Sequence, residues 1–128
     1  FNGTSANALA LAALCRPFEA TICHALSHIE TDEAAAPEYF TGGSKLIAAD
    51  TPDAKLTPEA VARLATRYEG FHHVKARVLS LTQATELGTV YSPGELKALT
   101  VMPVCWPSSV DVTIETPLAH RRMVSRIC

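Results

Sequence analysis

Paired histidines and scattered cysteines hold most of the chemistry that this sequence offers. His24 and His28 stand four residues apart. On a continuous helix they would share a face, and two imidazoles so placed could grip zinc or copper. A third ligand would have to come from Glu30, Asp32, His72 or His73, and no zincin-like pattern surrounds the pair. They therefore read as structural or solvent-exposed histidines, and no metal site is assigned. His72 and His73 come just after Gly70, at the start of an expected strand. Adjacent strand residues point to opposite faces, so at most one of the two can join a given site. Cys23 and His24 are neighbours that diverge by about 100° on a helix, which makes a thiolate–imidazolium pair awkward. There is no Cys-x-x-Cys, no Gly-x-Ser-x-Gly and no phosphate-cradling glycine loop. No cofactor is assigned.

The enzymatic reading that these residues serve best is cleavage of RNA. A histidine pair with a carboxylate and an arginine supplies base, acid and phosphate stabilisation. His72 or His73 with Glu86, Arg77, His120 and Arg121 make such a set. The stretch Tyr68-Glu69-Gly70-Phe71 resembles the base-recognition tetrapeptide of the secreted microbial guanyl-specific ribonucleases. The resemblance covers that tetrapeptide alone. In that family a catalytic histidine lies a few residues earlier, whereas this chain has none there, and the cysteine placement differs as well. The catalytic base is left unassigned, so a small secreted ribonuclease-like hydrolase stands as an alternative reading, behind a protein that is not an enzyme.

Cys15 and Cys23 lie in one apolar N-terminal segment, Cys105 in the last quarter, and Cys128 at the final position. With the sequon Asn2-Gly3-Thr4, a glycosylation site at Asn2, this pattern points to an exported, disulfide-bridged glycoprotein. Phe1 then reads as a processed start from which a signal peptide has been removed. In an unbroken helix residues eight apart are separated by about 12 Å along the axis. A disulfide needs Cα atoms within roughly 7 Å. Cys15 and Cys23 would each reach toward Cys105 or Cys128, unless Pro17 breaks the helix and lets them bond locally. The two long-range bridges are the favoured pairing.

These residues have to be positioned by the elements around them. Ser5 or Thr4 can cap a helix over 6–29, with Leu11, Leu14, Phe18, Ile22 and Leu26 as its apolar stripe and a kink or break near Cys15. Residues 1–5 read as a flexible leader, and 31–57 as a long irregular loop punctuated by Pro37, Gly42-Gly43 and Pro52. Thr57 as N-cap and Pro58 at the first helical position open a helix over 58–69. Alternation after Gly70 predicts a half-buried strand through Val74, Ala76 and Val78, and 87–91 a second. Ser92-Pro93-Gly94-Glu95 has the form of a capping box opening one turn of helix. Residues 99–105, 110–116 and 123–127 supply three more strands. Helices first and strands afterwards predict an α+β fold, its N-terminal helices packed on one face of a mostly antiparallel sheet of four or five strands, stapled by disulfides.

A chain of 128 residues suits one compact domain, and a formal charge of −2 argues against strong nucleic-acid or anionic-membrane binding. No stretch is long enough to span a bilayer. The expected function is protein–protein recognition by a secreted or surface-exposed module of receptor, adhesion or effector type, with another, extracellular protein as partner. Its contacts would come from Tyr39, Phe40, Tyr91, Trp106, Arg122 and Arg126. A structural subunit completed by a partner chain, or an oligomer, is a further alternative.

Overall fold

The computed structural model describes residues 2–67 and 70–102, together with two strands of the last quarter. Their order is α1 (Gly3–Leu14), β1 (Glu19–His24), α2 (His28–Thr31), α3 (Ala36–Phe40), β2 (Lys45–Ala49), α4 (Pro58–Ala65), β3 (Lys75–Thr82), α5 (Pro93–Thr100), β4 (Val110–Glu115) and β5 (Met123–Ile127). The strands form one sheet in the order β2-β1-β3-β4-β5. β1 pairs in parallel with both β2 and β3, β3 pairs in parallel with β4, and only β5 runs antiparallel to its neighbour. The expected antiparallel sheet with helices on one face is thereby corrected to a parallel α/β sheet covered on both faces.

The difference begins at Pro17. α1 ends at Leu14, and Cys15 is its extended C-cap, its N–H donating to the Leu11 carbonyl at 2.8 Å. Arg16 N–H turns away to Glu19 Oε2 at 2.8 Å and Pro17 has no N–H to continue the ladder, so the helix stops at the break that Pro17 predicts. The chain does not resume as helix. Ala20, Thr21, Ile22 and Cys23 are each 0% exposed. A strand buried on both faces is a continuous apolar run, and its periodicity does not separate it from a buried helix. The stripe continuing through Ile22 and Leu26 is that ambiguity.

Adjacent residues of β1 face opposite layers. Ile22 packs with Val61 and Leu64 of α4, Leu99 of α5, and Leu79 and Leu81 of β3. Cys23 packs with Leu11 and Cys15 beside α1, Ile29 of α2 and Val78. Each fully buried aliphatic side chain here is worth about 1.5–3 kcal/mol of transfer free energy. The β1–β3 register shifts between Ala20 and Thr21, whose partners are Ala76 and Val78, so Arg77 is an extra residue in β3. That bulge puts Ala76 in the same layer as Leu79 and Leu81.

The disulfide staple is also corrected. Cys15 and Cys23 are buried thiols in one apolar cluster, not halves of a bridge. Burial, above all, pushes the Cys15 thiol up from its ordinary value. Cys105 and Cys128 lie outside the described residues. Residues 3–5, expected in a leader, form the first turn of α1, and 31–57 contains α3 and β2. Residues 87–91 form a turn and extended coil, and Leu99 belongs to α5. α4 and α5 begin as their local signals require. Thr57 accepts from Ala60 N–H, and Ser92 and Glu95 form a reciprocal capping box.

Two turns are tightly specified. A Cβ on Gly42 would come within 3.1 Å of Pro17 Cγ, and its φ of +75° is left-handed, so any other residue would strain the packing of the α3–β2 turn on the α1–β1 connection. Before α3, Ala34 and Ala35 both have positive φ, at 49° and 59°. A β-carbon disfavours that region by about 1–2 kcal/mol. Ala35→Gly is expected to raise stability by about 0.5–1 kcal/mol, the strain relieved outweighing the entropy added to the unfolded chain. An unchanged or lowered urea midpoint would refute this. In a Cys105→Ser/Cys128→Ser background, Ellman's reagent should label Cys15 and Cys23 only after denaturation, whereas rapid labelling of that native protein would contradict their burial.

Candidate functional site

In an open parallel sheet, ligands bind outside the carboxyl ends of the strands, where the strand order reverses. Here that place lies between β1 and β3. The chain goes from β1 to β2 on one side, then crosses back to β3 on the other. β1 ends at His24 and β3 at Thr82. α1 brings its amino end to the same edge. Its far end, Cys15, lies beside Glu19 and Arg77 at the beginnings of β1 and β3. Near its start, Asn7 Nδ2 donates to Glu33 Oε1 at 2.6 Å, just past α2.

The sequon residue Asn2 has a structural task at this helix end. Its Oδ1 accepts from Ser5 N–H at 2.9 Å, and the first intrahelical bond is Ala6 N–H to the Asn2 carbonyl. The amides of Gly3 and Thr4 precede that bond, no acidic residue stands in the first turn, and a Cβ on Gly3 would meet nothing within 4 Å. Amides that stand ahead of the first intrahelical bond are groups that suit an anion.

The two N-terminal histidines do not share a helical face. His24 closes β1 and is 5% exposed. Its Nδ1 accepts from Leu26 N–H at 3.0 Å, and its Nε2 lies 3.1 Å from the Thr51 nitrogen and 3.2 Å from the Thr51 carbonyl oxygen. His24 thus ties the end of β1 to the exit of β2. His28 opens α2, with its side chain 47% exposed. Its Nε2 lies 3.0 Å from Glu86 Oε1 and its Nδ1 3.6 Å from Asp32 Oδ2. Among the described residues no group of three or more His, Cys, Asp or Glu is placed to hold a metal.

Glu86 sits on the turn that follows β3. Gln83 bridges across this turn, its Oε1 accepting from Tyr91 N–H at 2.9 Å and its Nε2 donating to the Tyr91 carbonyl at 3.2 Å. Thr85 and Thr89 hydroxyls are 2.7 Å apart, and Thr89 Oγ1 donates to the Asp53 carbonyl at 2.6 Å. Beneath the turn, His24, Ser27, Leu56, Thr82 and Tyr91 border a cavity of about 10 Å³. That is the scale of a single water, not of an aromatic ring. Ser27 Oγ is buried without a hydrogen-bond partner.

The ribonuclease set does not assemble. His72 and His73 are exposed ahead of β3, while Glu86 follows its far end. Eight strand residues at about 3.3 Å each put roughly 26 Å between them. His120 and Arg121 lie outside the described residues. Of the expected binding residues, Tyr39 and Phe40 are exposed on α3, their rings edge-to-face at 5.2 Å. Tyr91 is instead a core residue, 3% exposed, its hydroxyl accepting from Leu56 N–H at 2.6 Å. Trp106 and Arg122 lie outside the described residues, and for Arg126 only the backbone is described, opposite Asp111 in the β4–β5 ladder. Sequence reasoning missed the His28–Glu86 pair and the helix start at Asn2. Asn-Gly-Thr-Ser ahead of an alanine-rich run was the available signal for the second, since asparagine is a preferred N-cap.

Comparison with known proteins matches residues 1–103 to the profile of the beta-eliminating lyase family. The low-specificity L-threonine aldolase of Pseudomonas aeruginosa is 54% identical over 99 residues, covering 77% of this chain and 29% of the relative. The corresponding enzyme of a Pseudomonas species is 50% identical over the same length. The chain therefore spans less than a third of the curated relatives it matches. Among solved structures, Leishmania major threonine aldolase superposes with a TM-score of 0.80 at 29% identity, over 88% of this chain and 32% of that one. Escherichia coli YbdL, for which a methionine aminotransferase function was identified, shares the fold with a TM-score of 0.61 at 20% identity, over 88% of this chain and 26% of its own. The fold is that of the fold-type I pyridoxal 5′-phosphate enzymes.

These matches overturn three expectations. The chain is related to enzymes, not to recognition modules. A secreted disulfide glycoprotein is replaced by a lyase relative whose described cysteines are buried thiols. The exterior location loses its basis with the bridges. Burial, foremost, pushes the Tyr91 hydroxyl up from 10.0 to about 12. The neutral phenol is thus favoured in the folded state, a contribution present below pH 10 and lost as pH rises toward 12. Tyr91→Phe leaves the Leu56 amide buried without its acceptor and should cost about 1–2 kcal/mol in urea unfolding. In an absorbance titration of the native protein Tyr91 should ionise well above pH 10, a late step that Tyr91→Phe removes.

Proposed function

Since this chain belongs to the beta-eliminating lyase family, we propose that it forms the cofactor-facing wall of a threonine-aldolase-type active site, one that cleaves L-threonine to glycine and acetaldehyde. The observation that carries the reading is the half-exposed His28 ring, its Nε2 3.0 Å from Glu86 Oε1, at the edge to which the start of α1 also comes.

These residues fit pyridoxal 5′-phosphate. A phosphate monoester is an anion, and the Gly3 and Thr4 amides at a helix start are donors with no acidic neighbour in the first turn. A pyridine ring is planar, and an imidazole whose Nε2 is held by Glu86 can present a planar face to it. The cofactor, when bound, supplies the electron sink for breaking the bond between the α- and β-carbons of an amino acid. The chain's own contribution is orientation. α1 anchors the anionic end, and Asn2 holds that helix start in shape. His28 supports the ring, with Glu86 accepting from Nε2. His24 acts further back, fixing the loop from which Ser27 and His28 emerge.

The test is to titrate the protein with pyridoxal 5′-phosphate and with phosphate-free pyridoxal, then to measure aldehyde release from L-threonine. Saturable binding that prefers the phosphate ester, and threonine-dependent aldehyde, are expected. His28→Ala should weaken cofactor binding about 10-fold, the scale of one aromatic stacking contact. Absence of both binding and cleavage would reject the proposal.

A further inference from the structure

We infer that Glu86 is a positioning residue for His28, setting the tautomer and the plane of the imidazole that faces the cofactor. The inference rests on the assignment of His28 under Proposed function. Its foundation is the unequal stiffness of the two partners. α2 is a single turn of four residues, and its N-cap Ser27 makes no side-chain capping bond. Nothing within that turn fixes the rotation of the His28 ring. Glu86 arrives from a turn tied at several points: the Thr85–Thr89 hydroxyl pair, the Thr89 bond to the Asp53 carbonyl, and the two-bond bridge of Gln83 to Tyr91. Tyr91 is itself anchored to Leu56 in the core.

Glu86 Oε1 stands 3.0 Å from Nε2, within hydrogen-bond range, whereas Asp32 Oδ2 is 3.6 Å from Nδ1, beyond it. A carboxylate only accepts, so a proton is held on Nε2. That bond also fixes the ring's rotation about Cβ–Cγ, and with it the direction of the ring's face. Asp32 sits on the same short turn as His28, so it moves with the ring's backbone and gives no external reference. Glu86 supplies that reference from the loop of a neighbouring strand.

The experiment reads the imidazole directly. Nitrogen-15 NMR of the apo protein should show His28 with Nε2 protonated. Glu86→Ala should abolish that fixed signature and weaken pyridoxal 5′-phosphate binding roughly 10-fold, the scale of one charge-assisted hydrogen bond. Glu86→Gln retains an acceptor oxygen of the same reach. It should keep most of the tautomer preference, and it guards against misfolding of the alanine variant. Asp32→Asn should change neither quantity by more than about twofold. Unaltered His28 nitrogen shifts in both Glu86 variants would overturn the inference, and so would a larger response to Asp32→Asn than to Glu86→Ala. Because the nitrogen shifts are read without cofactor, failure of the His28 assignment appears separately, as normal cofactor affinity in His28→Ala.

Discussion

β1 and β3 lie side by side in parallel, with Ile22 and Leu79 turned to the layer of α4 and α5 and Cys23 and Val78 to that of α1. Parallel neighbours cannot be joined by a tight hairpin, so each connection must leave the sheet, cross a face and return. Those crossings cover both faces and leave the carboxyl edge as the place where loops from different strands meet. His28 and Glu86 are neighbours for that reason. Each follows the end of a strand, and the two strands are adjacent although separated in sequence by β2 and α4.

The edge divides the labour between buried and exposed groups. His24, Gln83 and Tyr91 spend their polar atoms on backbone groups of other segments, which satisfies buried donors and acceptors and stiffens the loops. His28 and Glu86 keep part of their surface in solvent. Polar side chains that look alike in a sequence thus have opposite roles, decided by how many of their atoms the backbone has already claimed.

That division explains what could be read in advance. α4 and α5 were legible because Thr57-Pro58 and Ser92-Pro93-Gly94-Glu95 carry their own caps, and the bonds that define them lie within three residues. The break after Leu14 was legible from Pro17. β1 was not, because Ile22 and Leu26 continue a helical stripe as well as a strand, and only the second face covered by α1 decides between them. Tyr91 looked like a binding anchor because it stands between loop residues, yet its partner is the Leu56 amide, remote in sequence. Asn2-Gly3-Thr4 satisfied a sequon and a helix cap at once. The site itself was illegible, since His24 and His28 at helical spacing suggested one face while a strand end and a helix start lie between them.

The extra residue at Arg77 has a reach beyond its own position. A strand is a two-phase object, and inserting one residue exchanges odd for even in everything downstream. From Val78 onward the inside and outside assignments are those of the shifted phase, including Thr82, from which the chain leaves for Gln83 and Glu86. Counting outward from Lys75 without that slip would turn the final residue of β3 toward the wrong helical layer. The layer that Thr82 faces, at the point where the chain leaves for the turn carrying Glu86, is therefore written some way upstream, in a local miscount near the opposite end of the same strand.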